Sequence, residues 1–68
     1  MNRQFECFWG EGYYGEDNKS ILAYHNIDFF NEERGYQPRD TRDLKALDIN
    51  DRINFSDETG RHWVRRIA

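Results

Sequence analysis

At 68 residues and a formal net charge of −3, the chain has room for one domain, near the lower limit for folding without staples. Its single cysteine, Cys7, excludes an internal disulfide, and Cys7, His25 and His62 show neither the C-x-x-C nor the H-x-x-x-H spacing of a metal site. Aromatic residues form 16% of the sequence, so they have to supply much of the core.

Taken in chain order, Arg3 to Trp9 alternates and is rich in aromatics, which predicts a strand. Phe5, Cys7 and Trp9 share one face of it, and Gln4, Glu6 and Phe8 the other. Gly10, Gly12 and Gly15 end the strand, and Glu16 to Ser20 carries turn chemistry. Ile21 to Tyr24 fits either a helical or an extended piece. Leu22, Asn26, Phe29, Phe30 and Glu33 recur at helical spacing, so a short helix is expected up to Arg34, with Asn26 or Asp28 as its N-cap and Gly35 in the left-handed position after it. A second helix is expected from Pro38, which suits a first helical position, to about Leu47, with Leu44 and Leu47 facing inward. Arg52 to Ser56, Asp57 to Gly60 and Arg61 to Ile67 read as strand, type I turn with a G1 bulge, and strand.

Together these elements predict an α+β fold of a single domain over residues 1–68: a three-stranded antiparallel sheet with two short helices on one face, in the order β-α-α-β-β.

Gly10 to Gly15 matches G-x-G-x-x-G letter for letter, but the context of a nucleotide site is missing. No helix pattern follows Gly15, no βαβ unit surrounds it, and Glu11, Glu16 and Asp17 repel a phosphate. Trp9, Tyr13 and Tyr14 have two readings: anchors of a protein-binding surface, or cover for a small core. With Glu11, Glu16 and Asp17 around them, and Glu32 and Glu33 on the predicted helix, they make a candidate acidic and aromatic face for a basic partner.

A second candidate is the C-terminal strand. Alternation puts Arg61, Trp63, Arg65 and Ile67 on one side and His62, Val64 and Arg66 on the other. Arginines beside an aromatic suit a single-stranded nucleic acid, so Arg61, Trp63, Arg65 and Arg66 form the alternative site. The plainer reading is an edge strand blunted by charge. The first half of the chain, where Glu6, Glu11, Glu16, Asp17, Asp28, Glu32 and Glu33 outnumber Arg3, Lys19 and Arg34, argues against a general nucleic-acid footprint.

For catalysis the inventory is thin. Cys7 in a strand reads as a small buried hydrophobe, and neither histidine has a nucleophile that spacing supplies. No enzyme, cofactor or metal is expected. No apolar run approaches the ~20 residues of a membrane span, and no signal peptide opens the chain, so a cytoplasmic location is expected.

The stretch Asp28 to Tyr36 (DFFNEERGY), Leu44 to Leu47 (LKAL) and the hairpin RINFSDETGRHWVRRI resemble small accessory proteins of bacteriophages and prophages over Asp28 to Ile67. In size and acidity the chain resembles the anti-CRISPR proteins among them. That resemblance implies a rigid stoichiometric inhibitor in the bacterial cytoplasm. Its partner would be a host protein or ribonucleoprotein defence complex with a basic surface.

Overall fold

The structure is a computed structural model that describes residues 3–13 and 19–68. Alternation in QFECFW builds the first strand, β1 (Gln4–Trp9), and sorts its side chains as expected. Phe5 and Cys7 are completely buried and Trp9 is 5% exposed, whereas Phe8 and Glu6 are half-buried on the other side. Strand β2 (Ile21–Asn26), helix α1 (Pro38–Lys45), β3 (Arg52–Asn54) and β4 (His62–Arg66) follow along the chain. The strands form one antiparallel sheet in the order β2-β1-β4-β3.

This corrects the expected architecture in two places. The sheet has four strands because Ile21–Asn26, ILAYHN, is extended and pairs along all of β1, from Gln4 opposite Asn26 to Trp9 opposite Ile21. The helix expected up to Arg34 is replaced by two 3-10 turns, Ile27–Phe29 and Glu32–Arg34. Two asparagines cause the break. Asn26 Oδ1 accepts from the Asp28 N–H at 3.1 Å, and Asn31 Oδ1 accepts from the Arg34 N–H at 3.2 Å. Each side chain thus takes a backbone donor and restarts the chain, as asparagine does at caps. Gly35 does take the left-handed conformation, with φ +90°.

Helix α1 begins at Pro38, and the Asp40 carboxylate accepts from the Gln37 N–H at 2.9 Å. It is shorter than expected, ending at Lys45, with Leu44 fully buried and Leu47 partly so beyond its end. Thr41 Oγ1 donates to the Phe30 carbonyl at 2.8 Å and fastens the helix to the 3-10 segment.

The core lies on one face of the sheet: Phe5, Cys7, Trp9 and Val64 pack against Phe30, Tyr36 and Leu44. Phe30 meets Phe5 edge-on at 5.4 Å and Tyr36 edge-on at 5.1 Å, the T-shaped geometry that ring quadrupoles favour. Each fully buried apolar side chain contributes about 1.5–3 kcal/mol of transfer free energy.

The C-terminal hairpin is present, with β4 between β1 and β3, so it is an interior strand and not a blunted edge. Its turn differs in detail. Asp57 and Gly60 exchange backbone hydrogen bonds at 3.0 and 3.2 Å, and Gly60 has φ +155°, not the αL angle of a G1 bulge. A Cβ there would meet Tyr13 Cδ2 at an ordinary contact distance of 3.4 Å, so the positive φ, and not crowding, is what favours glycine.

Candidate functional site

The sheet has a second face, on which none of its fully buried side chains lies. The strand registers arrange that open face in two rows, each crossing all four strands. The first runs Leu22, Phe8, Trp63, Asn54, and the second Tyr24, Glu6, Arg65, Arg52. Phe8 and Trp63, on the two central strands, stack with centroids 5.4 Å apart and planes 15° from parallel. The Arg52 guanidinium lies 5.6 Å from the Trp63 ring centroid, within cation–π range.

The second row is polar and linked. Arg65 Nη2 meets Glu6 Oε1 at 3.0 Å, and the Tyr24 hydroxyl donates to Glu6 Oε2 at 3.1 Å. That hydrogen bond to the carboxylate holds the Tyr24 phenol above its ordinary pKa, so it remains a donor. Arg61 stands two residues before Trp63, next to Gly10, whose N–H donates to the Arg61 carbonyl at 2.7 Å. A Cβ on Gly10 would come within 3.1 Å of Arg61 Cβ, so alternation and proximity both assign Arg61 to this face.

Among the described residues, three arginines and one glutamate therefore share the open face, in a chain whose net charge is −3. Two features of it work against stability. Arg52 and Arg65 are cross-strand partners of like charge, and Arg65 Nε is buried with no hydrogen-bond partner among the described residues. Local rules broken without a gain in packing are characteristic of functional surfaces.

Of the alternative site, the structure brings Arg61, Trp63 and Arg65 together on this face and removes Arg66 from it. Arg66 Nη1 donates to the Leu47 carbonyl at 2.8 Å, and its backbone bonds Asn50 and Asp51. It fastens the segment after α1 to the core side. Phe8, Tyr24 and Arg52 complete the surface and were not singled out from sequence. Phe8 was placeable by alternation, but the register that carries Arg52 to Trp63 is not written within either strand.

The acidic and aromatic face is dispersed by comparison. Trp9 is a core residue: its ring stacks on His62 at 4.8 Å and 8°. Tyr13 is half-buried and tilted against the same imidazole at 5.7 Å. Glu11, Glu32 and Glu33 are exposed, and Tyr14, Glu16 and Asp17 lie outside the described residues. What the structure does gather, on the side opposite the open face, is a cleft of roughly 600 Å³ whose lining includes Trp9, Tyr13 and His62, with three acids, Glu33, Asp40 and Asp57, against one base, Arg34.

His62, 3% exposed, is the centre of that cluster. Its Nδ1 lies 2.8 Å from the Phe8 carbonyl, which can only accept, so Nδ1 carries the proton. In the neutral ring Nε2 then accepts from the Tyr36 hydroxyl at 2.7 Å. Burial lowers the His62 pKa, against opposing contributions from the Phe8 carbonyl and Asp57. Both ring nitrogens are therefore committed to the fold. Burial, with Glu6 adding, pushes the Cys7 thiol up to about 12, so the thiolate form is absent near neutral pH.

No three His, Cys, Asp or Glu side chains among the described residues are grouped to hold a metal ion. No helix among them is long and apolar enough to cross a membrane. Comparison with protein-family models, with curated proteins and with solved structures gives no match to this chain.

Proposed function

We propose that this chain acts by binding, without chemistry of its own, and that the open sheet face takes a single-stranded nucleic acid. The observation that carries the reading is the aromatic row on the two central strands, with Arg52, Arg61 and Arg65 beside it. Phe8 and Trp63 already stack on each other, so bases unstacked from a single strand take the faces and edges this pair leaves open, and the arginines meet the phosphates. Tyr24, 56% exposed, offers a further ring at the margin. A duplex hides its base faces and cannot use the row, and the acidic remainder of the chain repels it.

Fluorescence anisotropy of a labelled single strand, titrated at several salt concentrations, tests this. With Arg65 paired to Glu6, Arg52 and Arg61 neutralise about two phosphates, which predicts a log–log salt slope of about −1.4 for a single strand. Trp63→Ala should weaken binding, and Arg52→Ala should weaken it and flatten the slope. Absence of any anisotropy change at low salt would end the reading.

The cleft is compatible with a second reading that rests on the resemblance seen in the sequence, a stoichiometric inhibitor of a bacterial defence complex working in the host cytoplasm. Glu33, Asp40 and Asp57 outnumber Arg34 at this aromatic cleft, a balance that suits a basic protein surface. Under that reading a Glu33→Lys, Asp57→Lys double variant abolishes inhibition while Trp63→Ala leaves it intact.

A further inference from the structure

The two edges of the sheet are built differently. Strand β3 is three residues long and carries Arg52, which blunts that edge. Strand β2 is six residues long, pairs with β1 without a bulge, and holds no proline and no Asp, Glu, Lys or Arg. Ile21, Leu22 and Tyr24 on it are 41%, 54% and 56% exposed, three of the four large hydrophobic residues exposed among those described. One side of its backbone meets β1, and no strand among the described residues meets the other.

We propose that a second copy of this chain docks on that edge, β2 against β2 in antiparallel register about a two-fold axis, joining two sheets into one of eight strands. A free edge offers unpaired N–H and C=O groups, which a strand satisfies and a helix does not.

Three features of β2 and its surroundings suit self-pairing in this arrangement. Centred on Ala23, the register sets Leu22 against Tyr24 of the other copy twice, on the open face, with small alanines meeting at the axis. Antiparallel pairing also brings the end carrying Lys19 of one copy to the end carrying Asp28 of the other, whereas parallel pairing would match like with like. Lastly, two copies of net charge −3 repel at long range, and β2 is a stretch without fixed acidic charge along which they can approach. The aromatic row of one copy would then run on into the polar row of the next, doubling the open face. The pairing does not depend on what that face binds.

Sedimentation of the full chain over a concentration series, without nucleic acid, is the test. A reversible monomer–dimer equilibrium is expected. Leu22→Lys should weaken it about tenfold or more, with the circular dichroism of the fold retained. Ala23→Cys, made in a Cys7→Ala background because Cys7 stands directly opposite it on β1, should give a covalent dimer with a short bis-maleimide after reducing pretreatment, whereas the Cys7→Ala chain alone should not. If Leu22→Lys fails to fold, the Ala23→Cys cross-link alone decides. A monomer at every concentration overturns the proposal, and so does a dimer that Ala23→Cys does not capture.

Discussion

The two faces of this sheet draw on the same residue types and use them in opposite ways. On the core face, Phe5, Trp9 and Val64 are buried under Phe30, Tyr36 and Leu44, and even the polar His62 is sealed with both ring nitrogens bonded. On the open face, Phe8 and Trp63 stack on each other and are only half-buried, with an arginine above and like charges paired beside them. A 68-residue chain has few aromatics to spare, and leaving these outside the core costs it stability. The contrast teaches that burial, and not aromatic content, separates the residues that hold this fold from those free to touch something else.

The contrast can be broken most sharply with truncations on the two faces. Phe5→Ala empties a fully buried site and should cost about 3–5 kcal/mol, enough to unfold much of a domain this small. Phe8→Ala should leave the cooperative unfolding transition in place. Denaturant melts of the two variants side by side check this, and equal destabilisation would erase the difference between the faces.

On the open side, Trp63→Ala should lose about 1–3 kcal/mol of single-strand affinity, the worth of one stacked base, in a protein that still folds. Tyr36→Phe tests the core side on a similar scale. It leaves His62 Nε2 buried without its donor and should cost about 1–3 kcal/mol of stability with no change in binding.

Acidification acts on the core side too. His62 and His25 have pKa values lowered from 6.5, chiefly by burial, so the folded state favours the neutral rings. Their contribution is complete above the unfolded value. It is lost as pH falls through about 6.5 toward the lowered folded values, because the unfolded chain takes up the protons first. Thermal melts between neutral and mildly acidic pH should show a falling midpoint; a midpoint that rises would contradict this. The smallest effect belongs to Arg52→Ala, which should change stability by less than about 1 kcal/mol, since an exposed cation–π contact is weak and its loss relieves repulsion of Arg65.

Much of this was legible in the sequence, for reasons that differ by element. The faces of β1, the hairpin, the start of α1 at Pro38 and the left-handed Gly35 all follow from local rules that tertiary contacts did not overturn. One local signal misled, and one choice stayed open. The spacing of Leu22, Asn26, Phe29 and Phe30 suits a helix, but Asn26 and Asn31 spend their side chains on backbone donors and break it, while the extended alternative for ILAY is the one that pairs with β1. At the site, alternation grouped Arg61, Trp63 and Arg65 correctly. It could not say that Trp9 points to the covered face and Phe8 to the open one, because coverage is decided by segments 20 and more residues away. Register, which delivers Arg52 to Trp63, is likewise a property of two strands together.

The most direct test of the open face as the binding surface is a titration of isotopically labelled protein with a short single-stranded oligonucleotide, followed by amide and indole shifts. The account predicts saturable shifts on Phe8, Arg52, Arg61, the Trp63 indole and Arg65, with Trp9 and His62 unmoved. Shifts centred on Tyr13, Glu33 and Asp57, or none at all, would contradict it.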